Sequence, residues 1–148
     1  MATSRVGSAL LFAIETAMRV GEIVDVTWDQ VDLDRRAVHI PKTKNGSPRD
    51  VPLSSEAIRI ITQLKPITKD STVFDLRTDQ VDALFRKAKA RALIEGLHFH
   101  DSRREALTRL AKIFGVMELA KISGHRDLRI LQTVYYAPSV EDLASKLD

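Results

Sequence analysis

A periodic apolar stripe between His100 and Phe114 constrains the fold of this chain more than any other feature. Leu107, Leu110 and Phe114 recur at spacings of three and four residues, which predicts the buried face of an α-helix. His100 and Arg103 are three residues apart at the start of the stripe, so on a helix they share that face. We therefore expect both side chains to point into a cleft rather than into solvent.

The remaining pattern predicts a mainly α-helical domain with one small three-stranded antiparallel β-sheet, an α+β fold. Between Trp28 and Pro52, three short β-like runs are separated by turn residues, and Asn45-Gly46 is a strong signal for a hairpin turn. Apolar spacing and capping residues predict helices at 5–18, around 21–22, at 54–64, from 78 onward, and at 103–114, 117–122, 127–133 and from 139 onward. Gly115 is expected to end the helix at 103–114.

Composition sets broad limits on the kind of protein. The 148 residues are enough for one domain with a real core, and 44% hydrophobic with 29% charged residues is ordinary for a globular chain. A net charge of +3 permits a nucleic-acid partner without requiring one. The chain has no Cys, which fits a reducing cytosol, and no apolar run of the roughly 20 residues that a membrane span needs. We expect a cytoplasmic protein.

Two cations outside the 103–114 helix are candidates for binding phosphate. Arg19 ends an apolar helix, where it either forms a structural pair with Glu22 one turn on or grips phosphate oxygens with two N–H groups. Lys44 precedes the Asn45-Gly46 turn, where a lysine is usually solvated surface. The alternative for Lys44 is a cation delivered to a DNA groove, or an acid that protonates a leaving oxygen. Lys42, on the same strand, is a weaker candidate.

Imidazoles and phenols follow toward the end of the chain. His125 comes after Gly124 in a turn-like Ser-Gly-His, and Tyr135 and Tyr136 precede Pro138, which ends their segment. A phenol is a poor nucleophile unless nearby cations favour its phenolate, which the arginines and histidines would do. The alternatives are hydrogen-bonded histidines without a catalytic role, tyrosines of the core, and a metal site without carboxylate or Cys ligands. The metal site would use His98, His100 and His125.

In this order, the elements resemble the catalytic domain of the tyrosine recombinase (phage integrase) family. The matching segments, from Glu15 to Pro138, are ETAMRVGEI, KTKNGSPRDVPL, FHDSRREALTRLA and ISGHRDLRILQTVYYAP. The resemblance implies a site-specific recombinase, typical of phages and mobile elements, that cuts duplex DNA without a metal or cofactor. A tyrosine attacks the phosphate and leaves a 3′-phosphotyrosine and a free 5′-hydroxyl.

The same resemblance implies the partners and the site residues. The partners are double-stranded DNA and further copies of the chain in a tetrameric synapse, because recombination joins two duplexes. We expect residues 1–148 to form a single catalytic domain, with the family's N-terminal DNA-clasping domain lying outside this chain. The implied roles are phosphate binding by Arg19 and Arg103, acid catalysis at the 5′-oxygen by Lys44, transfer of the tyrosine proton by His100, a hydrogen bond to phosphate by His125, and nucleophilic attack by Tyr135.

One departure from the family pattern concerns the nucleophile. Counted forward from His125, the family's usual position for the tyrosine falls on Val134. Counted back from Pro138, it falls on Tyr135, so we infer a one-residue insertion before Tyr135. If the intervening loop does not absorb the insertion, the chain is a DNA-binding or oligomerisation module that keeps the fold but cleaves poorly.

The last predicted helix has an apolar face and little sequence left to cover it. Ser139 is its expected cap, and Val140, Leu143 and Leu147 form the face. This face either docks on a neighbouring copy of the chain or folds back on its own domain.

Overall fold

The computed structural model describes residues 2–42, 46–64 and 71–148. Within these ranges the chain is mainly helical and carries one three-stranded antiparallel sheet, as predicted. The helices are α1 (Ala2–Thr16), α2 (Val20–Asp25), α3 (Ser55–Thr62), α4 (Thr78–Ala92), α5 (Asp101–Leu110), α6 (Val116–Ser123), α7 (Leu128–Tyr135) and α8 (Val140–Ser145). The strands are β1 (Val31–Asp32), β2 (Ala37–Ile40) and β3 (Arg49–Pro52), and a 3₁₀ turn, Trp28–Gln30, precedes β1.

Helix α1 is the central element of the larger core. Val6, Ala9, Phe12 and Ala13 repeat at helical spacing and are all buried. With this face α1 packs against α3, α4 and α5, so the elements that follow the sheet are held against the first helix of the chain.

The end of α1 sets the direction in which the chain enters the site. The Thr16 hydroxyl donates to the Phe12 carbonyl at 2.8 Å and accepts from the Met18 amide at 3.3 Å. Ala17 then takes a left-handed backbone conformation, with φ of 61°. The helix therefore ends at Thr16, two residues before the predicted boundary.

The sheet is a meander in which β2 pairs with both neighbours. Val31 lies opposite Val38, and Val38 lies opposite Val51. Alternate residues face the core, so Val38 and Val51 are fully buried, and the charged Arg49 occupies an inward position of β3. The antiparallel pairing of β2 with β3 is that of the predicted hairpin. Residues 43–45, and with them Lys44, lie outside the described residues.

The boundaries of α5 differ from the prediction at both ends. The helix begins at Asp101 and ends at Leu110, after which the chain continues in turns, with the Phe114 amide donating to the Leu110 carbonyl at 2.8 Å. Gly115 does not end this helix but is the N-terminal cap residue of α6, because its extended backbone ψ of 169° starts a new direction.

A second, smaller cluster of buried side chains joins α5, α6 and α7. Ala106 and Leu107 of α5 meet Leu119 of α6 and Leu131 of α7 there, and the aromatic rings at the end of α7 pack on its edge. The cluster fixes three helix ends near the carboxyl end of α1. In the described ranges no helix is long and apolar enough to cross a membrane.

Candidate active site

The guanidinium of Arg103 lies where three helices meet. Arg103 is 4% exposed, as the apolar stripe predicts. Its Nη1 donates to the Ala17 carbonyl beyond α1, and its Nη2 donates to the Ser123 carbonyl at the end of α6, at 2.9 Å. Two backbone carbonyls therefore hold the planar group in one orientation, and its remaining N–H groups stay available for a further acceptor.

Positive charges surround Arg103. Burial and the nearby guanidinium of Arg19 lower the pKa of Arg103 to about 10, with a further lowering by Arg49 and opposing effects of Glu22 and Tyr135. Arg103 stays charged at neutral pH, so the site holds cations close together before any ligand arrives. Such an arrangement suits a dianionic or developing negative charge.

His125 is half-buried and bonded to the same structure. Its Nδ1 lies 2.6 Å from the Ser123 hydroxyl and 3.5 Å from Nη2 of Arg103. Burial and the charges of Arg103, Arg19 and Arg49 lower the pKa of His125 to about 4. The ring is therefore neutral at physiological pH. The expectation that His125 adds positive charge is wrong, because burial and the neighbouring arginines disfavour the protonated ring.

Glu22 is the acidic centre of the site, and Arg49 is its principal partner. Nη1 and Nη2 of Arg49 donate to Oε2 and Oε1 of Glu22 at 2.7 and 2.8 Å, while Nε donates to the Ile122 carbonyl at 2.8 Å. Glu22 Oε1 also accepts the Arg19 amide at 3.0 Å, and the Arg19 guanidinium lies farther off, at 3.8 Å. Burial raises the pKa of Glu22, but the hydrogen bonds from Arg49 and the Arg19 backbone, with their charges, lower it below its usual value.

Arg49 was not predicted from the sequence as a site residue, although a signal for it was present. In the run from Arg49 to Leu53, alternation places Arg49 on the same face as Val51 and Leu53, which are apolar. An arginine on the buried face of a strand requires an acceptor. That acceptor is Glu22, which the sequence had suggested only as a partner of Arg19.

An open cleft of about 600 Å³ lies beside this network. The residues that line it include Arg19, Glu22, Lys42 and His100. His100 is exposed, so the prediction that it shares the buried face with Arg103 is wrong. The reason is that α5 begins at Asp101, so His100 is its N-terminal cap residue and lies before the first helical turn.

The two adjacent tyrosines at the end of α7 differ in their contacts. Both are half-buried against the second cluster. The Tyr136 hydroxyl donates to the Phe114 carbonyl at 2.6 Å, and burial, with a smaller effect of Glu118, raises its pKa. The Tyr135 hydroxyl makes no hydrogen bond to the described residues, but its ring is close enough to Arg103 to affect the pKa of that guanidinium.

The structure thus brings four of the six predicted site residues into one charged region and places a fifth beside it. Arg103 and His125 are in contact, Arg19 acts on both electrostatically, and Tyr135 acts on Arg103. His100 shares the cleft with Arg19. The sixth, Lys44, lies outside the described residues. Among residues 2–42, 46–64 and 71–148, no group of three or more His, Asp or Glu side chains is arranged to hold a metal ion.

Comparison with known proteins gives a consistent result. A family model described as the phage integrase family matches residues 2–141. A Haemophilus influenzae protein described as an integrase/recombinase is 51% identical over 148 residues, which cover 99% of this chain and 49% of that protein. The shufflon-specific DNA recombinase of Escherichia coli is 44% identical over 138 residues, or 92% of this chain and 35% of the relative. The chain therefore spans half or less of the length of these two relatives.

The fold is also that of a solved integrase structure. A lambda integrase (75–356) dimer bound to a COC′ core site matches with a TM-score of 0.73 at 17% identity, covering 90% of this chain and 52% of that one. The helices and the sheet described above therefore belong to a known arrangement.

Proposed function

Because this chain belongs to the phage integrase family, we propose that it is the catalytic domain of a site-specific DNA recombinase. It breaks and rejoins DNA strands through a covalent 3′-phosphotyrosine intermediate. The observation that carries the proposal is the buried Arg103 guanidinium, fixed by two backbone carbonyls and placed beside His125 and Tyr135. A fixed cation next to a phenol is what attack on a phosphodiester requires.

The chemical step exchanges one phosphate ester bond for another, so the free energy of the phosphodiester is conserved in the covalent intermediate. The Tyr135 oxygen attacks the phosphorus, the bond from phosphorus to the 5′-oxygen breaks, and the tyrosine proton passes to His100 or to water held there. Lys44 protonates the leaving 5′-oxygen. Rejoining is the reverse: a 5′-hydroxyl attacks the phosphotyrosine, and the tyrosine takes back its proton. Arg19 and Arg103 hold the charge that develops on the non-bridging oxygens.

Tyr135 is favoured over Tyr136 as the nucleophile for a structural reason. The Tyr136 hydroxyl is committed to the Phe114 carbonyl, and its raised pKa disfavours the phenolate. Tyr135 ends α7, close enough to Arg103 for the two side chains to interact electrostatically, and its hydroxyl makes no hydrogen bond to the described residues. This supports the count back from Pro138 and the inferred one-residue insertion before Tyr135.

Duplex DNA is the proposed substrate, and further copies of the chain are the proposed partners, in a synapse of four. The surface at α8 supports self-association: Val140 and Leu143 of the helix and Leu147 just beyond its end are 76%, 50% and 87% exposed, and α8 contains no buried residue. We assign this face to a neighbouring copy on DNA. Leu143→Ser should weaken assembly on DNA, measured by sedimentation, and leave the unfolding midpoint of the single chain unchanged. Since DNA is the substrate, we place the reaction in the cytoplasm.

A pool of nicked duplexes with randomised sequence tests the function without knowledge of the target site. The nick lets the short strand beyond the cut diffuse away, so a covalent adduct accumulates. Adducts that survive denaturation, with one DNA sequence enriched among them, support the recombinase. DNA binding without any adduct indicates instead a module that keeps the fold without cleavage.

A further inference from the structure

We infer that Ser123 is a positioning residue that, together with the Arg103 guanidinium, holds His125 as the tautomer with its proton on Nε2. The ring then carries a hydrogen-bond donor that no described residue accepts. The role of that donor, at a non-bridging oxygen of the scissile phosphate, rests on the proposed function. The tautomer itself does not, because it follows from contacts within the chain.

The contact between Ser123 and His125 alone permits two arrangements. A serine hydroxyl both donates and accepts, so the 2.6 Å separation between its oxygen and Nδ1 is compatible with a proton on either atom. The assignment therefore needs a third group whose role is fixed.

Arg103 supplies that group. A guanidinium only donates hydrogen bonds, and Nη2 of Arg103 lies 3.5 Å from Nδ1 of His125. A proton on Nδ1 would face this positive N–H at long hydrogen-bond distance, whereas a lone pair there is attracted to it. Nδ1 is therefore the acceptor, the Ser123 hydroxyl donates to it, and the proton of the neutral ring lies on Nε2.

The backbone around Gly124 holds Ser123, His125 and Arg103 in contact with one another. Ser123 is fully buried at the last position of α6, and its carbonyl accepts the same Nη2 of Arg103 at 2.9 Å. Gly124 follows with φ of 79°, a left-handed conformation that turns the chain so that His125 lies against the hydroxyl of Ser123. One residue thus contacts Arg103 through its backbone and His125 through its side chain.

The consequence for the ring is a neutral donor. The pKa of His125 is lowered to about 4 by burial and by Arg103, Arg19 and Arg49, so protonation does not supply a second N–H at neutral pH. Nε2 makes no hydrogen bond within the described part of the chain. Because Nδ1 is occupied by Ser123 and Arg103, the neutral ring donates a hydrogen bond to an oxyanion through Nε2–H.

Nitrogen NMR of the histidine rings tests the assignment directly on the 148-residue chain. The chain has 4 histidines, and loss of one ring signal in His125→Gln identifies the resonance of interest. At neutral pH, long-range proton–nitrogen correlation should show Nδ1 of His125 unprotonated and Nε2 protonated. A protonated Nδ1 would overturn the inference, and this measurement needs neither DNA nor a Ser123 variant.

Two matched variants then test the part played by Ser123. In Ser123→Ala, the ring nitrogens of His125 should move toward the averaged values of an imidazole that exchanges between both tautomers. Ser102→Ala, which also removes a buried hydroxyl and lies next to Arg103 on α5, should leave them in place. Unchanged His125 nitrogens in Ser123→Ala would show that the hydroxyl makes no contribution to holding the tautomer.

Adduct formation with nicked duplexes separates this inference from the proposed function. Ser123→Ala should slow it by a factor of about two to ten, which is the worth of one neutral hydrogen bond, while Ser102→Ala keeps the wild-type rate. An equal rate in both variants would contradict the positioning role. If the wild-type chain forms no adduct, the proposed function fails, and the ring spectrum still decides the tautomer.

Discussion

Arg49 and Glu22 form a buried, two-point ion pair, with Nη1 2.7 Å from Oε2 and Nη2 2.8 Å from Oε1. The pair joins β3 to α2, and through the Ile122 carbonyl it also reaches the end of α6. Glu22 also accepts the Arg19 amide, so the ion pair ties β3 to the backbone of Arg19.

Removing Arg49 should destabilise the fold strongly. Arg49→Ala leaves the Glu22 carboxylate buried without its partner, which typically costs about 3–5 kcal/mol in the free energy of unfolding. Urea denaturation measures this change. Arg35→Ala is the control, because Arg35 pairs with Asp50 at 3.8 Å on the surface, and such pairs contribute about 0–1 kcal/mol. Equal effects of the two substitutions would show that the buried pair is not structural.

Gly124 should not tolerate a side chain. Its φ of 79° is unfavourable for other residues, and an added Cβ would lie 3.0 Å from Cζ and Nη1 of Arg49. Gly124→Ala should lower the free energy of unfolding by at least about 1–2 kcal/mol. Gly7→Ala, in the exposed face of α1 with no atom within 4 Å, should raise it by about 0.5–1 kcal/mol. A neutral Gly124→Ala would mean that the Ser-Gly-His turn is not held as described.

The lowered pKa of His125 makes stability depend on pH in a known direction. The unfolded chain binds a proton at a pKa of about 6.5, and the folded chain binds it only at about 4. The unfolded state therefore binds more protons between these values, so this contribution is complete above about pH 6.5 and is lost as pH falls toward 4. His125→Gln removes it. The stability of the wild type relative to His125→Gln should therefore decrease over that range, measured by urea denaturation at several pH values. A constant difference would contradict the lowered pKa.

The planar set of N–H donors of Arg103 should matter more for cleavage than its positive charge. Arg103→Lys keeps a cation, but a lysine cannot reproduce the planar donors that contact the Ala17 and Ser123 carbonyls and still present others to a phosphate. Adduct formation should slow by about 10²–10³-fold, as for loss of one preorganised donor. The free energy of unfolding should fall by about 1–2 kcal/mol, since one buried hydrogen bond is lost. Arg104→Lys, exposed on the same helix, should change neither, and a fully active Arg103→Lys would refute the role.

How far the sequence predicted this structure depends on the kind of signal. The apolar stripe of α5 predicted the burial of Arg103, and alternation with turn residues predicted the sheet, because both patterns report local periodicity. The exposure of His100 was mispredicted because the start of a helix depends on its cap, and Asp101 begins α5. The partner of Glu22 was missed because Arg49 is distant in sequence and its pairing exists only in the folded chain. Likewise, the lowered pKa of His125 depends on burial in the folded chain and on three arginines from three separate segments.

The two adjacent tyrosines allow the central claim to be tested with a matched pair of substitutions. Wild type, Tyr135→Phe and Tyr136→Phe are each incubated with the pool of nicked duplexes, and covalent adducts are counted after denaturation. Tyr136→Phe loses the hydrogen bond to the Phe114 carbonyl and about 1 kcal/mol of stability, yet it should form adducts as the wild type does. Tyr135→Phe should bind DNA and form none. Adducts that persist in Tyr135→Phe and vanish in Tyr136→Phe would contradict the assignment of the nucleophile and the register inferred from Pro138.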